Sequence, residues 1–337
     1  MKKIINFLNT DIKIINSYFL FTIVLIILVC VGYSSYALFS FTKISTNVIE
    51  GTVGELKKSG ADTLIKLTDN KDSSGLYTIT HAKDSTLQIG TNEDITEYRY
   101  RGASPKNYVT FNNEVWRILG VFPTDDGTGN IENRIKIIKD QSIGNKYWNT
   151  TNNWTGATLN TELNTTYLNS LDSTSKSMIG NTKYYLGGKN VTYNNGYADT
   201  PLQFYSYERK ISGSGTYYYG TNPNSWTGKL GLMYLSDYGY ASDTCETKAL
   251  YNSSSSSKDL RACNTTNWLY NIKVNEWLLP QSASNSDLAV SVSSDGNVNN
   301  GLVSYYQLGV RPVLYLISSA QIIGGNGTSS SPYTLGL

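Results

Sequence analysis

The stretch 277–316 constrains the fold of this 337-residue chain more than any other segment does. It begins with the Trp-led apolar segment WLL, and apolar residues then alternate with others over 288–292, which is the period of a β-strand. The Asp-Gly pair at 295–296 is a turn signal. The Gly-led apolar run GVRPVLYL at 309–316 then predicts a buried closing strand, on which the rest of the chain assembles.

An apolar run at 18–41 follows a short N-terminal segment, 1–17, that carries three lysines. About 20 consecutive apolar residues cross a bilayer as a helix, and lysines before them favour a cytoplasmic N-terminus. A cleaved signal peptide is the alternative, since Ser35 and Ala37 occupy the two positions that a signal peptidase recognises. A retained anchor is favoured because the apolar run continues to Phe41. We therefore expect a single-pass protein of the cell membrane with its C-terminal domain outside.

Between this run and the main domain, residues 42–74 are predicted to form a stalk, because short apolar patches lie there among polar residues. The segment GELKKSGADTLIKLTDN predicts a short amphipathic helix that is broken at Gly60. We assign residues 75–337 to one extracellular α+β domain that is rich in strands and has one or two short helices.

Local signals within this domain are clear in five places. The segment 97–122 predicts a β-hairpin whose turn is the Asn-Asn pair at 112–113, and 133–140 predicts the next strand. Ser173 is expected to cap a short helical turn, and the apolar segment 230–241 is expected to be a strand. Apolar residues at four-residue spacing predict a helix that buries one face. They are Leu159, Leu163, Tyr167 and Leu171.

Charge is scarce in this chain. Charged residues make up 16% of it, against about 25% in typical soluble domains. Because 28 Lys and Arg nearly balance 26 Asp and Glu, and no basic tract stands out, nucleic acid is not expected as a partner. The 27 tyrosines fit two causes, namely a binding surface rich in Tyr, Asn and Ser or the codon bias of an AT-rich genome.

The three cysteines fall in two settings. Cys30 lies within the N-terminal apolar run and is expected to be inert. Cys245 and Cys263 flank a Ser-rich loop, and outside the cytosol we predict that they form a disulfide, which contributes about 3 kcal/mol in the chain-entropy account. Two free thiols are the alternative. A metal site is disfavoured because no CxxC motif or paired His accompanies them.

These residues offer no complete catalytic set. His81 is the only histidine, so a nucleophile–His–acid set cannot be assembled, and we expect His81 to be an exposed or half-buried strand residue. Glycoside hydrolysis by two carboxylates is the remaining enzymatic alternative. Its candidates are Asp125 and Asp126 in a turn, and Glu114 and Glu276, each close to a Trp. We predict a protein that is not an enzyme.

A calcium site is also disfavoured. Asp237 and Asp243 lie in the segment SDYGYASD, but their spacing is not that of an EF-hand loop, and calcium needs several converging oxygen ligands. We therefore predict no metal and no other cofactor.

Five segments in a characteristic order resemble a known family. They are YRYRGASPKNYVTFNNEVWRILGVF, LNTELNTTYLNSL, GLMYLSDYGYA, WLLPQSASNSDLAVSVSSDGNVNN and GVRPVLYL. Together, over about residues 95–318, they resemble a domain of unknown function from exported and membrane-anchored proteins of low-GC Gram-positive bacteria and their wall-less relatives. The closing pattern is more remotely similar to the C-type-lectin-like fold, including its formylglycine-generating-enzyme branch. This resemblance implies a compact α+β domain closed by a Val-Arg-Pro-type strand.

The functional residues of those folds do not carry over. Calcium-dependent lectins use acidic and amide residues beside a Pro, and the nearest segment here, Asn-Pro-Asn at 222–224, lacks the acid. The oxidase branch uses reactive cysteines, whereas a structural bond is predicted for Cys245 and Cys263. Arg311 in the Val-Arg-Pro segment is expected to form hydrogen bonds inside the fold.

The sequence thus predicts a membrane-anchored cell-surface protein with a non-catalytic binding or adhesion domain for glycan or surface-protein ligands. The anchor, the low charge and the loops rich in Tyr, Trp and Asn between 141 and 275 motivate this prediction. A structural component of a surface assembly is the alternative, and an envelope hydrolase that uses carboxylates is less favoured.

Overall fold

The computed structural model describes residues 16, 21–23, 25–28, 58–190, 199–243, 246–250, 264–270 and 274–337. The chain divides into two units, Met1–Lys57 and Lys58–Leu337. Most of the predicted anchor at 18–41 lies outside the described residues, as does Cys30. Within the part of the chain that the structure describes, no helix combines the length and the apolarity needed to cross a bilayer.

The second unit is a mixed α/β fold, rich in sheet and with few helices. Its strands are β1 (Leu76–His81), β2 (Ile95–Tyr100), β3 (Tyr108–Phe111), β4 (Glu114–Asp125), β5 (Ile131–Lys139), β6 (Asn145–Lys146), β7 (Thr182–Tyr185), β8 (Ser225–Gly228), β9 (Leu230–Gly231), β10 (Glu276–Gln281), β11 (Leu288–Val292), β12 (Val298–Leu302), β13 (Leu308–Gly309), β14 (Val313–Tyr315), β15 (Gln321–Gly324) and β16 (Tyr333–Gly336). Its α-helices are α1 (Gly60–Ile65), α2 (Thr158–Thr161), α3 (Leu168–Ser170), α4 (Ser173–Ser177), α5 (Pro201–Glu208) and α6 (Leu235–Tyr240). A 3₁₀ turn at Trp154–Gly156 precedes α2, and a π-helical segment at Glu162–Tyr167 joins α2 to α3.

Among the described residues, the larger sheet has nine strands. Its order is β15-β16-β3-β4-β5-β14-β9, with β2 bonded to β4 and β1 bonded to β2. β4 is the long central strand, since it pairs antiparallel with β2, β3 and β5. β16 pairs with β3 in parallel, so the C-terminal end of the chain lies beside one of its earliest strands. A separate two-stranded sheet pairs β7 with β8 antiparallel.

The predicted hairpin is confirmed as β3 and β4. Asn112 and Asn113 join the two strands with φ angles of 53° and 57°. Asn tolerates this left-handed conformation better than most residues, and a two-residue hairpin turn of type I′ requires it at both positions. β5 confirms the next predicted strand, although it already begins at Ile131.

The closing stretch divides between two sheets. The smaller sheet has the order β12-β11-β10-β13-β6 in the described part of the chain, and its β10-β11-β12 meander confirms the predicted alternating segment. The run 309–316 is not one strand, because β13 lies in the smaller sheet and β14 in the larger. Pro312 stands between them and has no N–H to continue a ladder.

The segment with four-residue spacing is helical, as predicted. Leu159, Leu163 and Leu171 are buried, and Tyr167 packs half-buried against the core. A four-residue spacing is longer than the 3.6-residue turn of an α-helix, and the wider π-helical segment keeps these side chains on one face. The short helix α4 is capped by Asp172 and not by Ser173 as expected, because Asp172 Oδ1 accepts the N–H of Ser175.

The expectation of a strand over 230–241 is wrong. Only β9 is extended, and α6 follows it. Every residue of α6 is buried, so the sequence shows no exposed face, and periodicity cannot separate a buried helix from a buried strand. The helix is favoured locally by Asp237, whose Oδ2 accepts the N–H of Tyr234 at 2.9 Å and so satisfies one donor of the first turn.

The predicted stalk is wrong from residue 58 onward, while 42–57 lies outside the described residues. Ala61 and Leu64 of α1 are buried in the main core. Gly60 begins this helix and does not break it, and its N–H donates to the carbonyl of Ala320 at 2.7 Å. A Cβ at Gly60 would lie 2.9 Å from that oxygen, so the close approach of α1 to the sheet needs a glycine.

Candidate functional site

A network of buried charges joins the larger sheet to α6. Lys136 on β5 donates to Oδ2 of Asp237, and Nη1 of Arg99 on β2 donates to Oδ1 of Asp237 at 2.9 Å. Arg99 Nε also donates to Oε2 of Glu97 at 2.8 Å, and that oxygen lies 3.2 Å from Nε2 of His81. None of the five residues is more than 4% exposed, so solvent does not reach the network.

Aromatic rings enclose this network. The rings of Phe122 and Tyr240 lie 4.6 and 4.9 Å from Cζ of Arg99, and Tyr205 stacks on His81 with ring centroids 3.5 Å apart. Cation–π contacts of this kind offset part of the cost of desolvating a cation. His81 does lie in a strand, β1, but the expectation that it is exposed or half-buried is wrong, because these tyrosines cover it.

The pKa values within the network follow from burial and charge pairing. Burial raises the pKa of Glu97, but Arg99 and the hydrogen bond from His81 outweigh it, so this pKa lies below its ordinary value. The pKa of Asp237 is also lowered, since Lys136 and Arg99 outweigh burial. Burial lowers the pKa of Lys136 to about 8 in spite of Asp237. The charges are matched, which is the condition under which buried ions are tolerated.

A second buried pair lies against the same region. Arg209 Nη1 donates to Oε2 of Glu208 at 2.9 Å, and Ser236 donates both its N–H and its hydroxyl to the Glu208 carboxylate. Burial raises the pKa of Glu208. The cavity lined by Glu97 and Arg209 measures about 10 Å³, which is room for about one water molecule. The buried charges link β1, β2 and β5 of the larger sheet to α6.

Arg311 forms hydrogen bonds inside the fold, as predicted. Its Nε and Nη2 donate to Oε1 and Oε2 of Glu276 at 2.7 and 2.9 Å. Glu276 was one of the carboxylates considered for glycoside hydrolysis, and this bidentate pair occupies both of its oxygens in the interior.

The other carboxylates considered for hydrolysis are engaged as well. Glu114 forms an ion pair with Lys139, with Nζ and Oε2 2.9 Å apart. Asp125 and Asp126 each accept backbone N–H groups of their own turn. These contacts explain the positions of the three acids by local structure.

Of the two aspartates considered for calcium, Asp237 forms ion pairs inside the fold. Asp237 is bound by Lys136 and Arg99, and it cannot serve a metal ion while it neutralises two cations. In the described residues, no group of three or more His, Cys, Asp or Glu side chains lies in a position to hold a metal ion.

The Asn-Pro-Asn segment at 222–224 serves the fold. The amide nitrogen of Asn222 donates to Oδ1 of Asn152 and to Oε1 of Gln281, each at 2.8 Å. The amide of Asn224 donates to two backbone carbonyls. The amide nitrogens of both residues therefore form hydrogen bonds inside the fold.

The predicted disulfide between Cys245 and Cys263 lies outside the described residues and remains a prediction. Many of the described aromatic side chains between 141 and 275 are part of the core, whereas Tyr147 and Tyr219 are exposed. The buried ones include Trp148, Trp154, Tyr184, Tyr205, Tyr234 and Tyr238.

A groove of about 320 Å³ with a mixed polar and apolar lining opens beside the Asn112–Asn113 turn. It is lined by Thr110, Phe111, Asn112, Asn113, Asp172, Thr174, Ser175, Met178, Thr334 and Leu335. We refer to it as the turn groove. Its walls come from β3, from the end of β16 and from the start of α4, so three elements distant in sequence build it.

The floor of the turn groove is set by the pairing of β3 with β16. Thr110 and Thr334 are direct partners in this parallel pair, and both side chains are exposed on the same side. Adjacent strands lie about 4.8 Å apart, so the two threonine side chains are neighbours on this face. Phe111 and Leu335, the next residues of each strand, are buried and supply the apolar part of the lining.

The opposite wall joins the turn to α4. Asn112 Oδ1 accepts the N–H of Asp172 at 2.8 Å, which fixes the turn against the helix. The Asp172 carboxylate accepts the N–H and the hydroxyl of Ser175, each at 2.8 Å, and these bonds lower its pKa. The amide nitrogen of Asn112 and the side chain of Asn113 make no hydrogen bond within the part of the chain that the structure describes.

Sequence reasoning found the turn but missed the groove. The Asn-Asn pair was identified only as a hairpin connection, and Thr110, Thr334 and Asp172 were not singled out. A parallel contact between strands at the two ends of a domain leaves no local signal, and only the assembled sheet places Thr334 beside Thr110.

No protein-family model, curated protein or solved structure matches this chain.

Proposed function

We propose that this chain is a membrane-anchored protein of a bacterial cell surface, and that its α+β domain binds a glycan or a surface protein without changing it chemically. This proposal is supported by a difference between the side chains of the interior, which pair with one another, and those of the turn groove, which face solvent. Of the groups considered for catalysis, Glu276 is paired with Arg311 and His81 lies beside Glu97 inside the fold, whereas the turn groove offers side-chain amides and hydroxyls to solvent. Donors and acceptors held on a rigid sheet suit recognition.

We infer that the domain has a C-type-lectin-like architecture, with remote similarity to the formylglycine-generating-enzyme branch. The five ordered sequence segments support this inference, and so does a sheet-rich fold with few helices. The Val-Arg-Pro segment precedes β14, which lies between β5 and β9 in the larger sheet, where a closing strand is expected.

The location rests on the N-terminal apolar run at 18–41, preceded by the cytoplasmic segment 1–17. The test is the intact mass of the native protein after membrane extraction. A full-length mass supports a retained anchor, and a mass that begins at Leu38 contradicts it and indicates secretion after signal cleavage.

The binding function is tested by screening the full chain, purified in mild detergent, on arrays of glycans and of bacterial surface proteins. We expect reproducible binding to at least one ligand class, competed by the same ligand in solution. An array that stays blank at micromolar protein, with protein that is folded by circular dichroism, would contradict the proposal.

A structural component of a surface assembly is the second candidate, and the edge strand β15 favours it. In the described part of the chain β15 pairs with β16 alone, and Ile323 within it is 62% exposed. An unprotected edge is a template for pairing with another copy of the chain. Sedimentation over a wide concentration range decides: self-association that Ile323→Lys abolishes supports this candidate, and a monomer throughout rejects it.

A further inference from the structure

We propose that the turn groove binds roughly one or two rings of a neutral sugar, without a metal ion, and disfavours anionic sugars. This inference rests on the proposed binding function and gives it a site and a ligand class. The volume of about 320 Å³ is at the lower end of the range for small-molecule sites, so the groove fits a short portion of a glycan.

The polar groups of the groove match the chemistry of sugar hydroxyls. A sugar hydroxyl donates and accepts hydrogen bonds at once, and so do a Thr hydroxyl and the two ends of an Asn amide. Thr110 and Thr334 stand side by side on the floor, and Asn113 projects from the turn beside them. The groove therefore offers paired donors and acceptors within reach of a single ring.

The apolar lining residues are suited to contact the C–H groups on the face of a sugar ring. Phe111, Met178 and Leu335 line the groove next to the polar groups. Sugar rings present C–H groups on their faces, and small-molecule sites combine apolar walls with a few polar groups that fix orientation. Because no lining aromatic ring is exposed, stacking of a nucleobase is not favoured.

The charge of the groove selects against anions. None of the lining residues is Lys or Arg, and Asp172 contributes a carboxylate to the lining. A phosphate, sulfate or uronate group placed here would meet a like charge with no cation to pair with. The uncharged Asn and Thr groups carry no such penalty toward a neutral ring.

The same residues argue against a metal-dependent site. Calcium takes about six to eight oxygen ligands, usually with several carboxylates. Asp172 is the only carboxylate among the lining residues, and Ser175 already donates two hydrogen bonds to it.

The first experiment compares two matched pairs of substitutions. Thr110→Val with Thr334→Val removes both hydroxyls of the floor, while Val keeps the shape and the strand propensity of Thr. Thr80→Val with Thr96→Val is the control, because this pair also lies in register across two strands, β1 and β2, away from the groove.

Binding of the full chain is measured by calorimetry with neutral trisaccharides of glucose, galactose and N-acetylglucosamine. We expect the groove pair to weaken the binding of the best trisaccharide at least tenfold and the control pair to change it less than twofold. EDTA is expected to leave the affinity unchanged. Equal effects of the two pairs on affinity would show that the turn groove is not the binding site. Loss of binding in EDTA would show that binding requires a metal ion.

The second experiment tests the charge selection. Asp172→Asn keeps a good helix cap and removes the negative charge. We expect the wild type to bind a neutral trisaccharide at least tenfold more tightly than its uronate counterpart, and this ratio to fall severalfold in D172N. Tighter binding of the uronate by the wild type would overturn the inference.

The experiments distinguish failure of the proposed binding function from failure of the proposed sugar site in the turn groove. If the full chain binds a glycan or protein on the arrays but T110V/T334V equals the control pair, the groove is not the site and the binding function stands. If no array ligand and no trisaccharide binds the folded chain, both proposals fail.

Discussion

The guanidinium of Arg311 donates two parallel hydrogen bonds, of 2.7 and 2.9 Å, to the carboxylate of Glu276 inside the domain. Arg311 lies between β13 and β14, where the chain passes from the smaller sheet to the larger, and Glu276 opens β10. Both residues are at most 4% exposed. The pair therefore holds the crossing point of the two sheets.

Removing one partner of this pair should destabilise the domain strongly. Glu276→Ala leaves Arg311 as a buried charge without its carboxylate, and we expect a loss of about 3–5 kcal/mol in the free energy of unfolding, measured in urea. Glu114→Ala is the control, since that acid pairs with Lys139 near the surface, and it should cost less than about 1 kcal/mol. Equal costs for the two variants would contradict the structural role of Glu276.

Helix α1 should contribute to the stability of the domain. Leu64 is fully buried, and Leu64→Ala should cost about 2–5 kcal/mol through lost burial and a residual cavity. Leu67→Ala is the matched control, because Leu67 is 52% exposed only three residues later. Thermal and urea unfolding give the comparison. A small effect at both positions would mean that this segment behaves as the stalk that the sequence predicts.

Acid should weaken the domain in part through Glu97. Its pKa in the fold lies below its ordinary value, so its ionised form stabilises the fold above the unfolded pKa of about 4.3, and this contribution is lost as the pH falls below that value. Glu97→Gln should therefore lose less stability than the wild type between pH 5 and 3, as estimated from urea unfolding at each pH. The exposed Glu93→Gln control should follow the wild-type profile.

The hairpin turn should respond to side-chain shape at Asn113. This exposed residue has φ of 57°, a conformation that glycine adopts without strain and a β-branched residue adopts poorly. We expect Asn113→Val to cost about 1–2 kcal/mol and Asn113→Gly to be close to neutral, by urea unfolding. If the valine variant matches the glycine variant, the turn does not hold this conformation in solution.

The predicted disulfide has a direct chemical test. With Cys245 and Cys263 joined, alkylation of the denatured protein should modify one cysteine without reductant and three after reduction, as counted by intact mass. The bond should also raise the stability by about 3 kcal/mol relative to the reduced protein. Modification of all three cysteines without reductant would show free thiols and contradict the prediction.

Local chemistry explains which parts of the fold were predictable. The Asn-Asn turn at 112–113 and the strands beside it follow from turn propensity and period, which act between near neighbours. The segment 230–241 was not predictable as a helix, because complete burial removes the polar face that marks helical period. His81 and Lys136 were not predictable as buried residues, since each depends on an acid supplied by another strand or helix.

The sequence by itself determined the hairpin, the meander after Trp277, the internal role of Arg311 and the scarcity of charge, because these depend on residue type and short-range order. Only the tertiary structure decided which strand lies beside which. The parallel contact of Thr110 with Thr334 and the placement of Asp172 beside Asn112 created the turn groove. Such contacts depend on the packing of the whole core, to which every buried side chain contributes, and no short segment encodes that packing.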